Sequence, residues 1–397
     1  MLSYSDNQIK IIIEAQHAVG HPQLRGLGYY AMNLIQALLR RRAFDYGLTF
    51  FDYNCEVGNQ ERADRLFGGY GVPLYECNEL DYRVASRDND IYASKSYNEW
   101  TNTHGDLYHF TNLVAVPTNL KGEMVVTIHD IYWKSAPESV EETLRLVYGL
   151  GLSRIEQVAP PIITDSQSTR LELLQYTKVR AEQISVIYPS YDEKNLYCEK
   201  GNVSDVVEGE YLFYVGALAP NKNIPGIVQA FNSIATKYDN LKLVIAGKVF
   251  LHHGIGPNDS SIRPISQCIS NSPFSDRIIT PGYVTAEQKR RLYSNALCFV
   301  FPSLCEGFGL PVLEAMACGC PVITADNTSL PEVGGEAAVY VNAYDTEQLA
   351  HEIERVITSE SLRKEMITKG FAQSKKFSWE KTAEQVENLY RAVKSCG

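Results

Sequence analysis

Phe301-Pro302-Ser303-Leu304-Cys305-Glu306-Gly307-Phe308-Gly309-Leu310-Pro311-Val312-Leu313-Glu314-Ala315-Met316-Ala317-Cys318-Gly319-Cys320-Pro321-Val322-Ile323 reads as a buried strand end, a glycine-flanked loop, a helix and the next strand. Pro311 suits the first turn of that helix, where a backbone N–H has no intrahelical partner to lose. The loop thus delivers amides to a helix N-terminus. The N–H groups of Phe308, Gly309 and Leu310 are expected to face an anion, and Gly307 and Gly309 let a diphosphate come close to the backbone. Glu306 precedes the glycines and Glu314 lies in the helix beyond, so both reach one neighbourhood and can accept hydrogen bonds from sugar hydroxyls. The stretch has the geometry of a nucleotide-sugar site.

Working outward, short β-branched runs alternate with amphipathic stretches, as in parallel sheets covered by helices on both faces. The first half offers strands at Ile9 to Ala15, Leu48 to Tyr53, Leu107 to Phe110, Met124 to His129, Ile162 to Asp165 and Ile184 to Tyr188. The second offers Tyr211 to Gly216, Leu243 to Gly247, Arg277 to Ile279, Cys298 to Pro302, Pro321 to Thr324 and Val339 to Val341. Gly28 to Arg41 has helical periodicity, with Met32, Ile35, Leu38 and Leu39 on one face. Helices are also expected at Thr346 to Thr358, at Leu362 to Lys375 and over the final run, with Ser378 as its N-cap. A polar stretch from Lys194 to Glu210 marks the domain boundary. The fold class is therefore α/β, with two Rossmann-like domains whose strand ends face a shared central cleft, where ligands of this architecture bind.

Composition limits the partners. The chain of 397 residues, 45% hydrophobic, is long enough for two cores at roughly 150 residues per domain. A net charge of −10 gives no basic footprint for nucleic acid. The start lacks a secretory signal's basic n-region and cleavage site, and no apolar stretch approaches the roughly 18 residues of a spanning helix. A cytoplasmic protein is expected. Its nine cysteines are scattered without a CxxC, so no disulfide framework or zinc site is indicated, and Cys318 and Cys320 read as buried thiols. In a cytosolic chain the sequons at Asn202 and Asn327 carry no meaning.

With seven residues between them, Glu306 and Glu314 inside EGFGLPVLEAMACGCPVI resemble the EX7E signature of family 4 retaining glycosyltransferases. The resemblance extends over GLGYYAMNL, VVTIHDI, ITDSQSTRLELL, YVGALAPNKN, TSLPEVGGEAAVYV and FSWEKTAEQVENLY. It implies a GT-B fold with an N-terminal acceptor domain (1–193), a C-terminal nucleotide-sugar domain (194–376) and a last helix (377–397) that crosses back to the first domain. Glu306 would hold hydroxyls of the transferred sugar and Glu314 the ribose. Similarity to bacterial polysaccharide mannosyltransferases implies mannose from GDP-mannose as donor and a glycan or lipid-linked oligosaccharide as acceptor, in O-antigen or capsule assembly.

Other residues join this picture. Lys222, at the turn after Gly216, can meet a diphosphate as a point charge and resembles the family's phosphate-binding lysine. The family's accompanying arginine is missing, since its two positions hold Ala217 and Asn221. Gly26 and Gly28 resemble the glycine loop that reaches the donor phosphates, and His129, at a strand end, resembles the histidine beside the transferred sugar. His129 is assigned to positioning and polar stabilisation. The resemblance also implies nucleobase contacts at Gly247, Tyr283 and Val284, and a place near the phosphates for Ser303. Ser166 and Arg170 fit the family pattern, a helix cap or a surface charge equally.

No metal or other cofactor is expected. Asp88-Asn89-Asp90 formally reads as DxD but sits in a polar segment that reads as a solvated loop, and His252-His253 lacks a third ligand. Arg40-Arg41-Arg42 is too small for a polybasic lipid site, so any membrane contact is expected to be peripheral. Rival readings are a sugar phosphorylase or nucleotide-sugar epimerase on the same architecture, or a two-domain sugar-binding protein without turnover. Nothing in the sequence speaks to oligomeric state.

Overall fold

A run such as Lys10-Ile11-Ile12-Ile13-Glu14 is apolar on both faces, which suits only a strand covered on both sides. In a computed structural model, which describes residues 9–20, 26–51, 58–137, 140–201, 203, 206–247 and 263–396, it is an interior strand of a wholly parallel sheet. The chain divides into two compact units, Met1–Pro189 with Trp379–Gly397, and Ser190–Ser378.

The first unit holds β1 (Lys10–Glu14), β2 (Asp45–Phe51), β3 (Leu74–Cys77), β4 (Leu107–Phe110), β5 (Glu123–Ile128), β6 (Ile162–Thr164) and β7 (Ile184–Val186). Their order is β3-β2-β1-β4-β5-β6-β7, so the direction of winding reverses between β1 and β4. Helix Gly26–Arg41 buries Leu34, Ile35 and Leu38 in one core cluster with Trp379, Ala383, Val386 and Tyr390 of helix Trp379–Cys396. The last helix is also tied down by charge. Arg41 Nε donates to both carboxylate oxygens of Glu387 at 3.0 Å and pairs with Glu380. Within the basic triplet, Arg41 is therefore committed to the unit's own structure.

The second unit holds β8 (Tyr211–Val215), β9 (Lys242–Ala246), β10 (Ile278–Gly282), β11 (Cys298–Phe301), β12 (Val322–Ala325) and β13 (Ala338–Val341). Their order is β10-β9-β8-β11-β12-β13, all parallel, with the reversal between β8 and β11. Aromatic side chains reinforce that seam, Tyr214 of β8 stacking on Phe301 of β11 at 5.9 Å.

Three readings of the sequence change. β3 is a strand that the apolar runs do not announce. The helix expected from Gly28 begins two residues earlier, so Gly26 lies in its first turn and not in a loop before it. Asp88-Asn89-Asp90 is no loop either, because Asp88 caps helix Asn89–Ala93 and Asn89 Oδ1 accepts from the buried Arg154 Nε at 2.6 Å. His252 and His253 lie outside the described residues.

Candidate functional site

In an open parallel sheet the strand order reverses where two connections leave in opposite directions, and a crevice opens beyond the carboxyl ends of those strands. The second unit places Lys222 just after β8 and Glu306 just after β11, on the two sides of its reversal. The sequence fixes both loops. Pro220–Lys222 forms a short 3-10 turn closed by Asn223 at φ 53°, whose side chain caps the next helix and donates to Ala343 O at 2.6 Å. Asn221 is buried and binds the other loop: its carbonyl accepts from Leu304 N (2.7 Å) and Ser303 Oγ (2.8 Å), and its Nδ2 donates to Cys305 O (3.0 Å). An arginine at this position would replace only the Nδ2 bond to Cys305 O, since the other two bonds go to the backbone carbonyl. Ser303 is fully buried, and its hydroxyl braces the loop.

Lys222 Nζ then sits 2.6 Å from Glu306 Oε1, with side chains 17% and 11% exposed, and 5.7 Å from the centre of the Phe301 ring. The loop after β12 supports Glu306 from below. Glu306 N donates to Thr328 Oγ1 (3.2 Å), and Ser329 Oγ lies within donating distance of both Glu306 O (2.9 Å) and Phe308 O (2.7 Å).

Gly309 is the N-cap of helix Leu310–Ala317 with φ 107°, and a Cβ there would lie 2.9 Å from Leu330. Only glycine fits both the conformation and the space. Phe308 turns its ring inward onto Phe377 at 5.8 Å, so this residue brings its backbone and not its ring to the helix start. One turn into the helix, Glu314 accepts from Lys289 Nζ at 2.8 Å and Tyr293 OH at 3.2 Å. Burial and the Glu314 carboxylate push the Tyr293 phenol well up, so it stays protonated and donates. Neither Lys289 nor Tyr293 is signalled by the sequence, since both lie on a helix with no motif.

Gly216 and Gly247 follow β8 and β9, and a Cβ on Gly247 would fall 2.5 Å from Gly216 O. These positions are closed to side chains. Tyr283 is exposed and Val284 buried, so the pair after β10 divides into one accessible and one packing residue.

In the first unit, His129 follows β5 and is buried. Its Nδ1 is 2.6 Å from Asp165 Oδ2 and its Nε2 is 2.9 Å from Thr111 O. Both partners only accept, so each ring nitrogen carries a proton and the ring is an imidazolium. Burial lowers its pKa, but the Asp165 carboxylate, the Thr111 carbonyl and Asp130 together raise it more, and the net shift is upward. With both nitrogens engaged, His129 offers a ligand its fixed charge rather than an N–H. Ser166 caps helix Gln167–Tyr176 through Thr169 N, which settles its structural part.

Among the described residues no group of three or more His, Cys, Asp or Glu could hold a metal ion. Nor, among those residues, is any helix long and apolar enough to cross a membrane.

Residues 202–373 match the family model described as glycosyl transferases group 1. The solved sucrose-phosphate synthase of Thermosynechococcus elongatus superposes with a TM-score of 0.76 at 19% identity, covering 98% of this chain and all of that one (100%). The second unit thus carries a glycosyl transferases group 1 domain, and the two parallel sheets have the GT-B fold. The chain resembles bacterial polysaccharide mannosyltransferases in particular. O-antigen chain mannosyltransferase B of Escherichia coli is 27% identical over 96% of this chain and 100% of its own length. The serotype-specific mannosyltransferase WbdA of Escherichia coli is 28% identical over 74% of this chain, which spans 36% of that larger protein.

Proposed function

We propose that this glycosyltransferase moves mannose from GDP-mannose to a hydroxyl of a glycan or lipid-linked oligosaccharide, with retention at the anomeric carbon. The observation that carries the reading is the Lys222–Glu306 pair across the reversal of the second sheet, beside the amides that open helix Leu310–Ala317. An incoming diphosphate competes with Glu306 for Lys222, and the helix-end amides share its charge. Released from the lysine, Glu306 accepts from hydroxyls of the sugar. Glu314, already oriented by Lys289 and Tyr293, accepts from the ribose, and the exposed Tyr283 stacks on the base.

The bond from C1 of the sugar to the diphosphate oxygen breaks, and the acceptor oxygen bonds C1 on the same face. The acceptor proton passes to the departing phosphate oxygen. Lys222 and the Gly307 to Leu310 backbone stabilise the negative charge that develops there. His129 adds a fixed positive charge on the first unit. No metal is needed, because lysine and amides together offset the diphosphate. The mannose assignment draws on the names of the similar proteins from Escherichia coli. The enzyme works in the cytoplasm, touching the membrane only peripherally when the acceptor is lipid-linked. A panel of nucleotide sugars tested for binding and slow hydrolysis decides the donor: tighter binding of GDP-mannose than of UDP-glucose supports the reading, and the reverse order replaces it.

A further inference from the structure

The first sheet has its own reversal, between β1 and β4, and the same rule places a ligand crevice beyond their carboxyl ends. The residues there are Glu14, which ends β1, and Thr111, which follows β4. Thr111 Oγ1 donates to Glu14 O at 2.9 Å and lies 3.2 Å from Glu14 Oε2, while Gln16 N donates to Glu14 Oε1 at 2.9 Å. Thr111 in turn holds His129 Nε2 through its carbonyl, and His129 holds Asp165, whose Oδ1 is buried with no hydrogen-bond partner. Glu14–Thr111 thus occupies in the first sheet the place that Lys222–Glu306 occupies in the second.

Glu14 is 4% exposed, and among the described residues burial, not a cation, dominates the environment of its carboxyl. If its work were only to hold Thr111 and the turn at Gln16, a neutral amide or a hydroxyl would do so without burying an acid. A carboxylate offers about four lone-pair sites, and Gln16 N, Thr111 Oγ1 and the Thr111 backbone N–H fill part of them. A polyhydroxyl ligand supplies neutral O–H donors that fill such sites. We propose that the Glu14 carboxylate, at the reversal of the first sheet, holds a hydroxyl of the acceptor sugar. This assignment rests on the glycosyl-transfer reading above.

Burial pushes Glu14 up to about 7. The groups that interact with it titrate elsewhere, since the Tyr92 and Tyr97 phenols are pushed up by burial. His129, linked through Thr111, is shifted upward. Ionised Glu14 accepts a hydroxyl better than its acid form, so acceptor affinity rises with pH through that window.

The test uses the full chain with GDP-mannose and two acceptor probes, methyl α-mannoside and mannobiose. Glu14→Gln is expected to raise the acceptor KM at least about tenfold, to keep the Kd for GDP-mannose within about twofold, and to abolish the wild-type fall in acceptor KM between pH 6 and 8, by analogy with groups that act only when ionised. Thr111→Val, which keeps the carboxylate but frees Oε2, is expected to raise the acceptor KM as well and serves if Glu14→Gln does not fold. An unchanged acceptor KM and pH profile in folded variants overturns the proposal. So does a wild type that turns over GDP-mannose yet accepts neither mannoside. A wild type that binds no nucleotide sugar overturns the glycosyl-transfer reading and this assignment with it.

Discussion

Lys222 Nζ and Glu306 Oε1 are 2.6 Å apart in the second unit, although 84 positions separate them in sequence. Each neutralises the other, so neither waits as an isolated, largely buried charge.

Lys222→Ala and Glu306→Ala are each expected to lower turnover by at least about a hundredfold, since both act where charge shifts in the transition state. Because the two side chains are partners, the double variant should fall well short of the product of the single losses. Steady-state kinetics checks this, and a near wild-type rate in either folded single variant removes that residue from the chemistry.

Glu314→Ala should act mainly on nucleotide affinity, weakening GDP binding by roughly tenfold, the scale of losing a charge-assisted hydrogen bond. Lys289→Ala should weaken it too, because it leaves the Glu314 carboxylate held only by Tyr293 among the two contacts described. Calorimetric titration with GDP distinguishes this from an effect on kcat.

Activity should persist after dialysis against a chelator. A complete loss that Mg²⁺ or Mn²⁺ restores would contradict the assignment of diphosphate charge to Lys222 and the helix-end amides, and would bring Asp88 and Asp90 back into question.

The product linkage should keep the donor's anomeric configuration, read by NMR couplings at C1. An inverted product overturns same-face attack. A sugar trapped on an enzyme carboxylate would keep the stereochemistry but replace the mechanism with a two-step displacement.

His109 bridges β4 to the last helix, its Nδ1 2.6 Å from Tyr390 OH and its Nε2 2.9 Å from Thr127 Oγ1. Burial, helped by the charge on His129, pulls it down to about 3. Between that value and the unfolded pKa the unfolded chain binds a proton that the folded chain refuses, so this residue's contribution to stability falls as pH falls below about 6.5. Urea midpoints at pH 7 and pH 4.5 should therefore diverge more for wild type than for His109→Gln, by on the order of 2 kcal/mol. Equal pH dependence in the two proteins would contradict the buried, neutral state of His109.

The strands were legible wherever β-branched residues cluster, as in Ile11-Ile12-Ile13 and Val322-Ile323, because burial on both faces leaves an uninterrupted apolar run. β3 (Leu74–Cys77) escaped because it is a short edge strand with three half-buried residues, whose pairing comes from β2 rather than from its own pattern. Glu306, Glu314 and Lys222 were readable from their place in motifs. Lys289 and Tyr293 were not, since a helix face carries no mark of which distant carboxylate it will meet. Glu14 was hidden for a different reason: at the end of IIIEA it looks like the polar residue that stops a strand. The glycines near residue 26 suggested a loop because the sequence shows where turning is permitted, not where the helix begins.

The placement of helix Trp379–Cys396 in the first unit has a consequence for how the chain is made. The second unit is continuous, Ser190–Ser378, and can complete its sheet as soon as it leaves the ribosome. The first unit begins earlier but lacks Trp379, Ala383, Val386 and Tyr390 of its core until the whole second unit has been made. For most of translation it stands with an apolar groove along helix Gly26–Arg41, waiting for a segment from the far side of another unit. Closing so long a loop costs only slowly more with length, but the exposed interval grows in proportion to it. Domains generally fold in the order they are made; here the first to emerge is the last to be finished, and the groove is the surface most open to misassembly in the meantime.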